Sequence, residues 1–207
     1  MPDLALFDFD GTLTRGETFP PFVRSVVPAE RLRWGRWRLA PLVAGYRLGL
    51  VSGTRIREAV VARGLTGMAA SRFESAAAEW ARDRLPALLR PAALARLRAH
   101  RDRGDTVRIV SGNFECLLSP WAATEGVVAY GSRLEARDGR LTGRYAGPQC
   151  VLEHKVWRIR AELDLTRFDR IHAYGDTPED RPMLLLADVA HYLPRGWPEG
   201  MALPSIG

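Results

Sequence analysis

The 207-residue sequence has very little cysteine, histidine and lysine. Its two cysteines, Cys116 and Cys150, are too few for a disulfide framework and lack the spacing of metal ligands, so we expect reduced thiols. Its four histidines are scattered along the chain, which favours ordinary surface or core positions over a zinc site. A disulfide-stapled scaffold and a zinc enzyme are therefore not expected.

Long hydrophobic runs are also missing. The longest covers residues 183–187, and the amino terminus lacks a signal-peptide pattern, so we predict no membrane span and a cytoplasmic protein. The net charge of +6 is spread along the chain without a nucleic-acid-binding motif, so we expect anionic substrates and no nucleic-acid partner. A hydrophobic content of 46% can bury one substantial core and a small second unit.

A short apolar run followed by two aspartates is the most informative feature present. Residues 4–12 read LALFDFDGT, which is typical of a strand buried on both faces and then a glycine turn. Parallel sheets bind ligands beyond the carboxyl ends of such strands, so Asp8 and Asp10 are predicted to face one crevice. Their charges there require a metal ion or a fixed ammonium group. The alternative is a pair of solvated turn aspartates before Gly11.

Two further features suit a phosphate ligand. Residues 106–113, TVRIVSGN, predict a buried strand ending in Ser111 and Gly112, which offer a hydroxyl and backbone N–H groups to a phosphate oxygen. Lys155 is the only lysine among 30 basic residues. A compact ammonium of this kind fits between carboxylates and a phosphate, although an ordinary surface lysine is the alternative.

A fourth segment adds two more carboxylates at a strand end. Residues 170–183, RIHAYGDTPEDRPM, predict a strand that ends near Asp176, and a turn that carries Asp180 into a new helix. The four segments, in this order and over nearly the whole chain, resemble the haloacid dehalogenase superfamily of aspartate-nucleophile phosphatases. That resemblance implies a role for each matching residue.

By position, Asp8 resembles the nucleophile, Asp10 the general acid and base, and Lys155 the charge clamp. The resemblance also implies a Mg²⁺ ion held by Asp8, the carbonyl of Asp10 and Asp176, with Asp180 as a supporting acid. The phosphate and substrate contacts that it implies are Thr12, Glu17, Ser111, Gly112, Asn113 and Lys155.

The order of predicted elements indicates an α/β fold: a three-layer, Rossmann-like, mainly parallel sheet core with a small all-helical insertion. Core residues are predicted as 1–14 and 89–207. The insertion, residues 15–88, corresponds in the resembled superfamily to a helical cap that closes over the site. Within it we predict helices over residues 17–27, 32–50, 54–62 and 69–85. A tight hairpin is predicted around Asp138 and Gly139.

Within the superfamily the chain is most similar to the phosphoserine-phosphatase-like group, subfamily IB, with a helical C1 cap. Glu17 matches a cap glutamate that contacts the substrate amine, and its alternative is a charge favoured at a helix start. Two positions depart from the phosphoserine phosphatase pattern, where Gly11 replaces a serine and Asn113 replaces a glycine. Either Arg55 or Arg57 is a candidate for contacting a substrate carboxylate.

One predicted helix combines basic and aromatic residues. It carries Trp34 and Trp37, an apolar stripe within residues 39–50, and several arginines, which are Arg31, Arg33, Arg36, Arg38 and Arg47. Such a helix can lie on an anionic membrane surface, which would suit a lipid phosphate. We favour the alternative in which the tryptophans pack inside the cap, and peripheral membrane contact is not the preferred expectation.

The sequence therefore predicts a Mg²⁺-dependent phosphomonoesterase that forms an aspartyl phosphate. The expected substrate is a small phosphorylated metabolite, similar to phosphoserine or histidinol phosphate. One alternative is a lipid phosphatase of the phosphatidylglycerophosphate type, and another is a non-catalytic phosphate-binding or interaction protein. Phosphate transfer to an alcohol would use the same residues, and the oligomeric state is not predicted.

Overall fold

The computed structural model describes residues 1–194 and 196–197, with only the backbone of Arg36. The strands are β1 (Leu4–Phe7), β2 (Thr106–Phe114), β3 (Val128–Ser132), β4 (Leu134–Arg137), β5 (Arg140–Tyr145), β6 (Ile171–Gly175) and β7 (Val189–Tyr192). The helices are α1 (Phe19–Val26), α2 (Ala29–Arg47), α3 (Gly53–Gly64), α4 (Ala70–Leu88), α5 (Pro91–Asp102), α6 (Glu115–Thr124), α7 (Glu153–Glu162) and α8 (Arg181–Leu186).

Five strands form a parallel sheet in the order β3-β2-β1-β6-β7. β1 is central, and its side chains alternate between two apolar clusters because successive residues of a strand point to opposite faces. Ala5 and Phe7 belong to the larger cluster, whereas Leu4 and Leu6 belong to the smaller one. The predicted α/β fold with a parallel sheet is confirmed, and β1 is buried on both faces.

Helices cover both faces of this sheet. On the face of the sheet that holds the larger apolar cluster, α5 and α6 pack with residues such as Leu97 and Leu118. On the other side, α7 and α8 contribute Ile159 and Met183. This arrangement gives the three layers that the sequence predicts, because each sheet face presents apolar side chains that need covering.

Helices α1 to α4 lie between β1 and β2 in the chain. The polypeptide leaves and re-enters the sheet region at one place, where Arg15 N donates to the Leu88 carbonyl and Arg90 N donates to the Leu13 carbonyl, both at 2.8 Å. This pairing supports a boundary at residues 14/15 and 88/89, and the division into core and cap stays a prediction.

The helices of the insertion differ in how they pack. In α4, residues Phe73, Ala77, Ala81 and Leu85 recur every four residues on one buried face. No described side chain of α2 is buried. Trp34 and Trp37 are exposed, so the expectation that they pack inside the cap is wrong. Within the described residues, no helix is both long and apolar enough to cross a membrane.

The hairpin β4–β5 is in contact with the insertion. Asp138 and Gly139 both adopt positive φ, 49° and 71°, as a two-residue turn of this type requires. The predicted hairpin is thereby confirmed. The Leu141 carbonyl accepts a hydrogen bond from Gly67 N at 2.8 Å, so the hairpin holds the segment between α3 and α4.

A buried histidine lies below the central strands. His100 Nδ1 lies 2.7 Å from Asp105 Oδ2, and Nε2 lies 2.9 Å from the hydroxyl of Tyr174. A neutral ring satisfies both partners, since Nδ1 donates to the carboxylate and Nε2 accepts from the hydroxyl. Burial lowers the pKa of His100 to about 4.

This pKa predicts how stability depends on pH. Between pH 4 and 6.5 the unfolded chain binds more protons at His100 than the folded chain does, so the free energy of unfolding rises with pH across that window. Across this window the low pKa of His100 changes the free energy of unfolding by at most about 3 kcal/mol. Urea unfolding at several pH values should show a shallower slope for His100→Gln than for the wild type. Equal slopes for the variant and the wild type would contradict the low pKa of His100.

Candidate active site

The site lies at the carboxyl ends of three neighbouring strands. Asp8 directly follows β1, Ser111 lies within β2, and Asp176 directly follows β6. The register aligns Phe7 with Ile109 of β2 and with Tyr174 of β6, so the following residues meet at one edge of the sheet. The crevice predicted for this edge is present, and β1 lies where the strand order reverses direction.

Lys155 holds two carboxylates together at this edge. Its side chain is buried near the start of α7, and its Nζ donates to Asp8 Oδ1 at 2.5 Å and to Asp180 Oδ1 at 2.6 Å. Burial alone would lower the pKa of Lys155, but the two carboxylates raise it above its ordinary value. The ammonium group therefore stays charged, and the alternative of a surface lysine is wrong.

The loop after β6 fixes Asp180. Its second oxygen, Oδ2, accepts hydrogen bonds from the backbone N–H groups of Asp176 and Thr177 at 3.1 and 2.9 Å. Burial would raise the pKa of Asp180, but Lys155 and these N–H donors hold it below its ordinary value. A side chain on Gly175 would collide with Asp180, so glycine is needed for this close approach.

Asp176 lies against the turn that follows β1. Thr12 Oγ1 donates to Asp176 Oδ1 at 2.9 Å. Gly11 in that turn has a φ of +87°, and a Cβ there would overlap the Asp176 carboxylate. Thr12, predicted as a phosphate contact, thus orients a carboxylate in this structure.

Three carboxylates form a group that fits a divalent cation. Oxygens of Asp8, Asp176 and Asp180 all lie within 4.8 Å of one another. Burial raises the pKa of Asp8 and of Asp176 above their ordinary values, with further repulsion from Asp180. One lysine neutralises one of three charges, and a divalent ion would neutralise the other two. Oxygen ligands of this kind suit Mg²⁺.

Asp10 has partners of its own. Its Oδ1 accepts hydrogen bonds from Thr18 N at 3.0 Å and from Thr18 Oγ1 at 2.6 Å, and its Oδ2 accepts one from Asn113 Nδ2 at 3.0 Å. The same amide lies 2.7 Å from Thr18 Oγ1. Burial raises the pKa of Asp10 to about 6, although these donors oppose the shift. A carboxyl group with this pKa can exchange protons near neutrality.

The remaining predicted site residues lie around the same crevice. Ser111 is buried, and its Oγ accepts a hydrogen bond from Asn113 N at 3.2 Å. Gly112 lines the cavity above the carboxylates, and Glu17 is exposed at its rim. Asn113 is predicted to contact phosphate, but its amide is engaged by Asp10 and Thr18. The roles of these residues stay predictions.

Two contributors to the site escaped sequence reasoning, and a third, Arg57, was predicted only as one of two alternatives. Thr18 gave a weak signal, since it directly precedes α1 and hydroxyl residues favour helix starts. Trp197 gave none, yet its indole Nε1 donates to the Thr12 carbonyl at 2.7 Å. Arg57, rather than Arg55, lines the cavity, and its guanidinium binds Glu179 at 3.1 Å and Gln149 at 2.9 Å. Only the fold brings that arginine of α3 to the β6 loop.

A large cavity extends from the carboxylates into the insertion. Its volume is about 1720 Å³, and beyond Asp8 and Lys155 its wall is largely apolar. The apolar lining comes from α1, α2 and α3, including Val23, Leu39 and Val60. The aspartates therefore lie at the acidic end of a chamber whose lining is mostly apolar but also includes arginines of the insertion, among them Arg24, Arg47 and Arg63.

A parallel α/β fold with clustered carboxylates and a buried lysine at the carboxyl edge of its sheet defines a Rossmann-like enzyme with a helical insertion. The family model of the haloacid dehalogenase-like hydrolases matches residues 5–185, and the chain belongs to this family. The chain is 34% identical over 197 residues to Protein CicA of Caulobacter vibrioides (strain NA1000 / CB15N), covering 92% of this chain and 86% of CicA. The predicted superfamily is confirmed.

Solved structures show the same fold. A protein of unknown function from Bordetella pertussis Tohama I has a TM-score of 0.73 at 25% identity, covering 90% of this chain and 88% of that one. A substrate-bound phosphoserine phosphatase has a TM-score of 0.64 at 21% identity, covering 90% of this chain and 83% of that one. The chain is thus a hydrolase with a phosphatase fold, as predicted.

The ion pairs of Lys155 predict a clear effect on stability. Lys155→Met leaves two buried carboxylates without their cation, which should lower the free energy of unfolding by about 3 kcal/mol. Urea unfolding at neutral pH in the presence of a chelator measures this change. Arg160→Gln removes an exposed charge and should change stability by less than about 0.5 kcal/mol. Equal stability of the two variants would contradict the pairing.

Proposed function

We propose that this protein is a Mg²⁺-dependent phosphomonoesterase that acts through an aspartyl phosphate on Asp8. The observation that carries the proposal is the position of Asp8, whose carboxylate lies against the Lys155 ammonium and beside Asp176 at the polar end of a cavity. A nucleophile, a fixed cation and an acidic cation site in contact suit attack on phosphorus.

Three residues of the chain have distinct roles in the reaction. Asp8 attacks phosphorus in line with the departing oxygen, and Lys155 offsets the charge of the phosphate oxygens. Asp10, held by Thr18 and Asn113, protonates the leaving alkoxide. It then takes a proton from the water that hydrolyses the phosphoenzyme, which requires a carboxyl group able to change its protonation state near neutrality.

A Mg²⁺ ion would be held by Asp8, Asp176 and the backbone carbonyl of Asp10, with Asp180 supporting the loop that carries Asp176. When bound, it supplies charge neutralisation and orients the phosphate group. Asp180 is already engaged by Lys155 and three donors of the β6 loop. This engagement suits a supporting role better than direct coordination.

The predicted substrate is a small phosphorylated metabolite with an amine. Glu17 at the cavity rim is a carboxylate that could receive the amine. Arg57 already binds Glu179 and Gln149, so a substrate carboxylate would have to displace one of them. Phosphoserine itself is therefore a weaker candidate than an amine-bearing ester without a carboxylate.

One observation favours a second candidate, a lipid phosphate phosphatase. The cavity of about 1720 Å³ exceeds the usual volume of small-ligand pockets, and most of its lining is apolar. An ester with an acyl tail would fill such a chamber, whereas an amino-acid phosphate would leave it largely empty.

Phosphate release from a panel of esters tests the proposal. The panel includes phosphoserine, histidinol phosphate, phosphoethanolamine and micellar phosphatidylglycerophosphate, each with Mg²⁺ or with chelator. We expect release to require Mg²⁺ and to fall at least about 10³-fold in Asp8→Asn. A phosphoenzyme trapped by rapid acid quench should be absent from that variant.

The identity of the best ester separates the two candidates. Turnover of soluble esters without lipid supports the metabolite, and turnover of the micellar substrate alone supports the lipid phosphate. Folded wild-type protein that releases no phosphate from any ester would count against catalysis and favour a binding role.

The contact between Asn113 and Asp10 predicts a kinetic effect. Asn113→Ala removes one of the donors that orient the Asp10 carboxyl, so kcat should fall about 10- to 100-fold while KM changes little. Thr18→Ser keeps the hydroxyl donor and should retain most of the activity. Steady-state kinetics on the best ester measure both variants. A rise in KM with unchanged kcat in Asn113→Ala would instead indicate a substrate contact.

A further inference from the structure

Helix α2 carries an exposed apolar surface that borders the cavity, since Trp37 and Ala44 are among the residues that line it. Its members are spaced by three, four, three and four residues, so they fall on one side of the helix. We call this surface the outer stripe, and it consists of Trp34, Trp37, Pro41, Ala44 and, directly after the helix, Leu48.

The outer stripe is largely exposed to solvent. Trp34 is 66% exposed, Trp37 78% and Leu48 74%. Large apolar side chains grouped in this way on a protein surface mark a contact with another phase or molecule. No part of the described chain covers them.

The opposite face of α2 is partly buried. Leu32, Leu39 and Val43 line the cavity that reaches the active site. Apolar residues on two faces of one surface helix cannot both be explained by packing in the monomer. The outer stripe is therefore not needed for the packing of the fold, and it lies at the open edge of the cavity, where Trp37 and Ala44 contribute to the lining.

The charged residues beside the outer stripe indicate what the stripe contacts. Helical geometry places Arg33 and Arg47 along one side of the outer stripe and Arg38 along the other. Among the described residues, these three arginines have no hydrogen bond or ion pair, and Glu30 is the only acidic residue of α2. Unpaired cations on both sides of an apolar stripe with two tryptophans suit the interfacial region of an anionic bilayer.

We propose that the outer stripe of α2, with its flanking arginines, docks the protein on the surface of an anionic lipid membrane. The tryptophan rings lie at the level of the headgroups, and the arginines contact lipid phosphates. Docking brings the cavity, whose lining includes residues from both the outer stripe and the opposite face of α2, next to the bilayer. This binding requires neither turnover nor metal, so it stands apart from the proposed hydrolysis.

Vesicle flotation of the full chain in chelator tests the proposal. Wild-type protein should float with phosphatidylcholine vesicles that contain phosphatidylglycerol, should not float with pure phosphatidylcholine, and should dissociate as salt screens the arginines. Arg33→Gln/Arg38→Gln should weaken partitioning roughly 30-fold, given about 1 kcal/mol for each arginine at such a surface. Trp34→Ser/Trp37→Ser should weaken it at least about tenfold.

Matched variants elsewhere on the surface control for lost charge and lost tryptophan. Arg160→Gln/Arg167→Gln removes the same charge, and Trp157→Ser removes a tryptophan of α7 that is 62% exposed. Both should float like the wild type. The proposal is overturned if wild-type protein does not float, or if the control variants lose as much binding as the α2 variants. Concentration-dependent dimers in sedimentation that Trp34→Ser/Trp37→Ser abolishes, without vesicle binding, would assign the stripe to self-association instead.

Discussion

Lys155 lies between the carboxylates of Asp8 and Asp180, and the rest of the site is built around this contact. Buried carboxylates at one sheet edge repel one another and lose hydration, so they are tolerated only when cations and N–H donors surround them. The helix α7 supplies the ammonium, and the loop after β6 supplies the N–H groups. The fold therefore holds a high density of negative charge in place before any substrate arrives, which is the preorganisation that electrostatic catalysis requires.

A second network connects the acidic centre to the insertion. Asp10 accepts hydrogen bonds from Thr18, at the start of α1, and from Asn113, at the end of β2. Arg57 of α3 binds Glu179 on the loop between the two acidic residues that follow β6. Movement of the insertion would change the surroundings of Asp10 and of this loop together. A helical insertion can thus influence proton transfer as well as substrate access.

The departures of this chain from phosphoserine phosphatase now have a physical meaning. Asn113, where that enzyme has a glycine, gives Asp10 an amide donor that a glycine lacks. Gly11, where that enzyme has a serine, allows a positive φ and a close approach of Asp176. The cavity beyond them is wide and apolar. Both positions lie at the acidic end of the site, beside Asp10 and Asp176, and not in the wide part of the cavity.

The local sequence determines much of the secondary structure of this protein. The apolar run before Asp8, the Asp138 and Gly139 turn and the strand that ends near Asp176 each specify their own structure, because burial patterns and turn residues act over a few positions. The solitary Lys155 pointed to the site through composition alone. The partners of Asp10, the contact between Arg57 and Glu179, and the exposure of Trp34 join or separate residues far apart in the chain. Helical periodicity shows which residues share a face, but only tertiary packing decides which face is covered, and this is why the tryptophans were misassigned to the cap interior.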